Sequence, residues 1–133
     1  MCCDPDSVSS NAVAYHNGKM IEEIVQKIYP DIEFLDKQFD AIYKGIDLEI
    51  KSCQSIVTDS SNSRERRSGR FVFEWKQYAA LQKRGGNFLF IVHEKGEIKV
   101  MFLIPASKVV LPEFIGVRSW TWKTIARQFM GEA

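Results

Sequence analysis

Apolar residues recur at two different spacings along this chain and divide it into predicted helices and strands. From about Ala12 to Tyr29 they follow the helical repeat, and Pro30 ends the segment. Three short segments of alternating polarity, at 32–35, 38–43 and 46–54, predict strands. A second helix is predicted over 73–84, then strands at 87–93 and 97–104, and a last helix over about 119–130. This order predicts an α/β fold.

The second and third predicted strands form a hairpin if Lys44-Gly45 is a two-residue turn. The pairs that follow are Tyr43 with Ile46, Ile42 with Asp47, and Ala41 with Leu48, and Asp40 then falls opposite Glu49. One face would carry Phe39, Ala41, Tyr43, Ile46, Leu48 and Ile50, and the other Asp40, Asp47, Glu49 and Lys51. A slip of one residue would destroy both faces, so the pattern predicts this register.

The facing carboxylates Asp40 and Glu49 indicate chemistry, because two such groups repel each other and destabilise an ordinary sheet. Lys51 on the same face offsets part of that cost, and Mg²⁺, which prefers oxygen ligands, would offset more. A metal-bound water beside a lysine is a nucleophile for a phosphodiester. A surface salt-bridge cluster of the same side chains is the alternative. A second Glu-x-Lys, at 97–99, has neither an aspartate opposite it nor a helix glutamate before it.

Composition restricts the class of protein. With 133 residues, of which 45% are hydrophobic and 26% charged, the chain predicts a single domain over 1–133. No apolar segment reaches the roughly 18 residues that a membrane span needs. The first twenty residues do not resemble a secretory signal, so a cytoplasmic protein is expected. Cys2, Cys3 and Cys53 form an odd set without CxxC spacing, which supports neither a disulfide framework nor a zinc site.

The near-neutral net charge of +1 hides an uneven distribution. Residues 1–63 contain 11 acidic and 5 basic residues, whereas residues 64–133 contain 13 basic and 6 acidic ones. A metal-dependent enzyme acting on a polyanion needs both kinds of cluster, although folding can also mix such segments without consequence. The polar, arginine-rich stretch over 55–70 predicts a long mobile loop.

Three segments together resemble the PD-(D/E)xK nuclease superfamily. They are Gly18-Lys19-Met20-Ile21-Glu22, Phe39-Asp40 and Leu48-Glu49-Ile50-Lys51-Ser52. The predicted element order also resembles the αβββαβ core of restriction-endonuclease-like folds, a central mixed sheet flanked by helices, over about 12–104. Within the superfamily the chain is most similar to archaeal Holliday junction resolvases and related small nucleases. Phe39 stands where the motif has its proline, and the 55–70 stretch does not align.

This resemblance implies a Mg²⁺-dependent DNA endonuclease, with Mn²⁺ expected to substitute. Asp40 and Glu49 would hold the metal together with the carbonyl of Ile50, and Lys51 would orient or help to deprotonate the attacking water. Glu22, at the edge of the first helix's apolar stripe, would lie in the outer shell or bind a second metal, with a surface ion pair as the alternative. The resemblance also places Gln77 at the border of the site.

The expected substrate is branched DNA, and symmetric cutting of a four-way junction implies a homodimer. Candidates for phosphate contact are Arg64, Arg66, Arg67, Arg70, Lys83 and Arg84. Two other functions stay open: a restriction-type or repair endonuclease that cuts linear duplex DNA, and a non-catalytic DNA-binding module in which Asp40, Glu49 and Lys51 form a structural cluster.

Overall fold

The structure is a computed structural model, and it describes residues 10–35, 39–58 and 66–130. The chain divides into two compact units between Ile32 and Glu33. In the first unit, α1 spans Ser10–Ile28, with Ile21 and Val25 buried, and the Tyr29 N–H continues its hydrogen-bonding pattern to the Val25 carbonyl at 2.8 Å. No helix in the described part of the chain is both long enough and apolar enough to span a membrane.

A five-stranded sheet forms the centre of the second unit. Its strands are β1 (Glu33–Phe34), β2 (Ala41–Tyr43), β3 (Ile46–Gln54), β7 (Asn87–Glu94) and β8 (Glu97–Pro105), in that spatial order. Only β3 and β7 pair in parallel among these described strands, so the sheet is mixed. The predicted α/β class with a central mixed sheet is confirmed.

The β2–β3 hairpin has the predicted register, with Ala41 opposite Leu48, Ile42 opposite Asp47 and Tyr43 opposite Ile46. Its turn residues Lys44 and Gly45 both have positive φ, at 53° and 80°, as a type I′ turn requires. The strand is shorter than predicted, because regular pairing stops at Ala41 and residues 39 and 40 form a bend.

The bend changes the face on which Phe39 lies. Its ring lies 5.7 Å from the Arg84 guanidinium carbon, and that side chain also pairs with Asp47 through a 2.7 Å contact. Asp47 is on the opposite face of the sheet from Leu48 and Ala41. The expectation that Phe39 shares a face with Ala41 is therefore wrong, since alternation does not continue through a bend.

Two further strand pairs replace the ends of the predicted 55–70 loop. Antiparallel β4 (Ile56–Thr58) and β5 (Arg66–Ser68) form one pair, and β6 (Arg70–Glu74) pairs with β9 (Val117–Thr121). Residues 59–65, with the centre of that predicted loop, lie outside the described residues.

Both later helices begin after their predicted starts. Helix α2 spans Trp75–Lys83, because Phe71 and Phe73 alternate with exposed positions as a strand and only then does the helical repeat begin. Helix α3 spans Trp122–Ala126 and is capped by Thr121, whereas the first residues of the predicted helix, 119–121, lie within β9. In each case a short strand immediately precedes the helix, and aromatic residues fit both patterns.

An aromatic core joins the sheet to β6 and α2. Phe73 is at its centre, with ring centroids 5.6 Å from Phe88, 6.2 Å from Phe90 and 5.7 Å from Trp120. Phe88 and Phe90 come from β7, beside β3, and Tyr78 reaches the same cluster from α2. Apolar side chains therefore pack over the face of β3 that carries Glu49 and Lys51.

Candidate active site

Glu49 and Lys51 lie on the aromatic side of the sheet, in the middle of β3. Parallel pairing puts Glu49 beside Phe88 and Lys51 beside Phe90, so both charged side chains share a face with buried aromatic rings. Strands β2 and β7 flank β3. The site therefore stands on an interior strand whose backbone is held from both sides.

Glu49 is a buried carboxylate with only one of its oxygens paired. The residue is 7% exposed, and its Oε2 lies 3.4 Å from the Lys51 Nζ. Among the described residues, its Oε1 is buried without a hydrogen-bond partner. An orphaned buried carboxylate oxygen costs free energy unless a donor or a cation reaches it.

Asp40 approaches the same place from the bend before β2. Its Oδ2 accepts a 2.8 Å hydrogen bond from the backbone N–H of Ile50. The carboxylate thus takes the place of a backbone carbonyl where the β2–β3 ladder ends at Ala41. This hydrogen bond fixes Asp40 beside Glu49, as the hairpin register predicts.

Burial and a neighbouring carboxylate make Glu49 easier to protonate. Burial raises the pKa of Glu49 to about 7, with the charge of Asp40 as the second cause, against the lowering effects of Lys51 and of the Asp40 backbone N–H. Burial also raises the pKa of Asp40, against the lowering effects of the Ile50 N–H and Lys51. Two buried carboxyl groups therefore lie close together, and a bound cation would reduce the free-energy cost of ionising them.

Lys51 is itself restrained by its surroundings. Its side chain is 15% exposed, and its Nζ lies 5.3 Å from the centroid of the Phe73 ring, a cation–π distance. Phe73 belongs to β6, although the sequence pattern placed it at the start of the following helix. The ammonium group has a defined position next to the carboxylates.

A small cavity of about 10 Å³ opens between these side chains, large enough for about one water. Glu49 and Lys51 line it from β3, and Gln77 lines it from the first turn of α2. The structure thus brings Gln77 to the site, although its chemical role stays a prediction. Glu74 also lines the cavity, and its carboxylate caps α2 by accepting the Gln77 N–H at 3.2 Å.

Sequence reasoning missed Glu74 and Phe73 because it began the helix too early. A signal was present: Phe71 and Phe73 alternate with Arg70 and Val72, which is a strand pattern. A strand over these residues would have moved the start of the helix to Trp75 and placed an acid at its N-cap.

The structure describes the surroundings of several other predicted residues. Glu22 is exposed on α1, as is Glu23, and its role stays a prediction. Arg84 is engaged with Asp47, and Arg70 donates to Ser119 at 2.8 Å and 3.0 Å. Arg67 and Lys83 are exposed, the side chain of Arg66 is not described, and Arg64 lies outside the described residues.

The residues present fit a hard divalent cation. The described residues contain no cluster of three or more His, Cys, Asp or Glu side chains that would enclose a metal. Mg²⁺ does not need such a cluster, because it typically binds one or two carboxylates and keeps several waters. Asp40 and Glu49 supply two carboxylates, and the unpaired Oε1 of Glu49 is an available ligand atom.

Comparison with known proteins agrees with this chemistry. A family model described as a PD-(D/E)XK nuclease superfamily domain matches residues 7–129, nearly the whole chain. The matched region includes the bend with Asp40, the β3 carboxylate and lysine, and the small cavity. No curated protein and no solved structure matches the chain significantly.

Proposed function

The chain belongs to the PD-(D/E)XK nuclease superfamily, and from this premise we propose that it is a Mg²⁺-dependent endonuclease that hydrolyses DNA phosphodiesters at the Asp40–Glu49–Lys51 site. Nucleases of this superfamily typically use divalent metals. The observation that carries the proposal is the orphaned, buried Oε1 of Glu49 beside a second carboxylate. A purely structural ion pair between Glu49 and Lys51 gives no reason to bury that oxygen unpaired.

Asp40 and Glu49 would hold the metal, and the Ile50 carbonyl is a proposed further ligand. A cation bound there would provide a water of lowered pKa and would neutralise charge on the phosphate. Asp40 contributes a carboxylate whose orientation is already set by the Ile50 N–H. Little reorganisation of the protein is then needed when substrate arrives.

Lys51 would act on the reacting oxygens. Its ammonium, restrained by Phe73 and by Glu49, can donate a hydrogen bond to the attacking water or to a phosphate oxygen that gains charge. Gln77, which also lines the cavity, would help to orient the same water. These two side chains position the nucleophile, while the carboxylates set the local charge.

Branched DNA is the proposed substrate and a homodimer the proposed assembly, both resting on the resemblance of the Glu22, Asp40 and Glu49-to-Lys51 segments to junction-resolving nucleases. Two symmetric nicks across a four-way junction require two copies of the site. A restriction-type or repair enzyme on the same fold would cut linear duplex DNA instead.

The test compares a labelled four-way junction with a linear duplex of matched sequence, in Mg²⁺, in Mn²⁺ and in EDTA. Wild type, Glu49→Gln and the matched control Glu97→Gln are assayed together. We expect metal-dependent cleavage by wild type and by the control, and a loss of at least about 100-fold in Glu49→Gln, because a metal ligand is removed.

Paired nicks in the junction alone would support the resolvase function. Cutting of both substrates would retain the nuclease and replace the preference for branched DNA by a restriction or repair function. DNA binding without any cleavage would overturn the proposal in favour of a binding module.

A further inference from the structure

A second and larger cavity adjoins the candidate active site. Its volume is about 510 Å³, within the range of small-molecule pockets. Glu74 lines both this cavity and the small one that contains Glu49 and Lys51. Because one residue lines both cavities, the two lie next to each other.

The walls of the large cavity suit a flat, uncharged ring. The half-buried Trp75 supplies aromatic surface, and the buried Phe114 ring packs against it edge to face with centroids 5.1 Å apart. Glu74 and Glu113 add two carboxylates against one cation, Lys76, so a phosphate is disfavoured there. Carboxylates instead accept hydrogen bonds from the exocyclic amines of nucleobases.

Ile115 stands at the rim of this cavity and is 98% exposed. It is nevertheless held in place: its neighbour Phe114 is 7% exposed, and the Gly116 carbonyl accepts the Trp75 N–H at 2.9 Å. Gly116 has a φ of +71°, which makes the tight turn that presents the isoleucine. Exposing a large apolar side chain on an anchored turn contributes nothing to folding.

We propose that the cavity lined by Trp75, Phe114 and Glu113 binds an unpaired nucleobase next to the scissile phosphate, with Ile115 as an apolar wedge between that base and its neighbour. Apolar side chains inserted between base steps unstack them in other DNA-binding proteins. This inference rests on the proposed nuclease function and deepens it, since it names the structural feature of DNA that the enzyme selects.

The experiment measures binding in EDTA, so that it does not depend on cleavage. The probes are a matched duplex and the same duplex with one unpaired 2-aminopurine, whose fluorescence rises when it leaves the base stack. Wild type, Ile115→Ala and the control Val110→Ala are compared; Val110 is 71% exposed and lies outside both cavities. Thermal melting monitors folding of each variant.

Wild type and Val110→Ala should bind the probe with the unpaired base about tenfold more tightly than the matched duplex, with a rise in fluorescence. In Ile115→Ala that ratio should fall to about twofold or less. In Glu113→Gln the preference for an unpaired A or C over T should be lost, because the amide can accept from their amines or donate equally well to a carbonyl of T.

Equal binding of both probes by wild type, or an unchanged ratio in Ile115→Ala, would overturn the base-binding cavity. If wild type nevertheless cleaves the matched duplex in Mg²⁺, the proposed nuclease function survives that result. If it neither binds nor cleaves any DNA, both proposals fail together.

Discussion

Two copies of the same tripeptide pattern, Glu49-Ile50-Lys51 in β3 and Glu97-Ile98-Lys99 in β8, differ in almost every physical respect. Each pairs its own glutamate and lysine, at 3.4 Å in β3 and 3.1 Å in β8. The β3 side chains are 9% and 15% exposed, whereas those of Glu97 and Lys99 are 73% and 47% exposed. The shorter ion pair is thus the one in solvent.

Position in the sheet causes this difference. Strand β3 lies between β2 and β7, with aromatic residues packed over its charged face, whereas Glu97 begins the terminal strand β8 at the Lys95-Gly96 turn. Burial raises the pKa of Glu49, and the bend before β2 brings Asp40 beside it. Whether a Glu-x-Lys pattern can take part in chemistry therefore depends on desolvation and on a second carboxylate, and not on the ion pair.

The largest expected effect concerns the two lysines. Lys51→Ala should lower the rate of metal-dependent DNA cleavage by about 100-fold or more, because a positioned proton donor is lost from the site. Lys99→Ala should leave that rate within about twofold. Single-turnover cleavage with saturating protein separates this effect from DNA binding. Equal losses in both variants would remove the distinction between the two copies.

A smaller effect concerns folding stability without metal. Glu49→Gln should raise the free energy of unfolding in EDTA at pH 8 by about 2 kcal/mol, because the variant no longer buries a charge beside Asp40. Glu97→Gln should change it by less than about 0.5 kcal/mol. Urea denaturation at pH 8 measures both values.

The stability difference between Glu49→Gln and wild type should also depend on pH. The pKa of Glu49 is raised from 4.5 to about 7 in the folded protein. Its contribution to stability is therefore fully present below pH 4.5 and is lost as the pH rises to about 7. The stability of Glu49→Gln relative to wild type should increase over that window. A flat difference between the two curves would show that burial does not raise the pKa of Glu49.

The smallest expected effect is the contribution of the exposed Glu97–Lys99 ion pair to folding stability. A double-mutant cycle on Glu97 and Lys99 should give a coupling free energy of no more than about 0.5 kcal/mol, decreasing with added salt, because water screens both charges. Thermal melts in low and high NaCl measure it. A coupling above 1 kcal/mol that resists salt would place the β8 pair in the same class as the buried one.

Much of the hairpin followed from local pattern. Alternating polarity and a Lys-Gly turn were sufficient for the β2–β3 register, since a slip would have exposed every apolar side chain on one face. The start of α2 was wrong because Phe73 fits both a strand and a helix, and pairing with Arg118 in β9, 45 residues later in the numbering, favours the strand. Single-sequence periodicity contains no information on such a partner.

The identity and order of the residues determined which groups are available: a hairpin, an acid placed to face Glu49, and a lysine two positions after Glu49. Tertiary structure alone decided that one Glu-x-Lys is buried and the other solvated, that Phe73 holds Lys51, and that Glu74 joins two cavities. The physical reason is the distance along the chain over which each kind of interaction acts. Turn geometry and alternation act between neighbours in sequence, whereas desolvation and charge coupling depend on what packs across the sheet from distant segments.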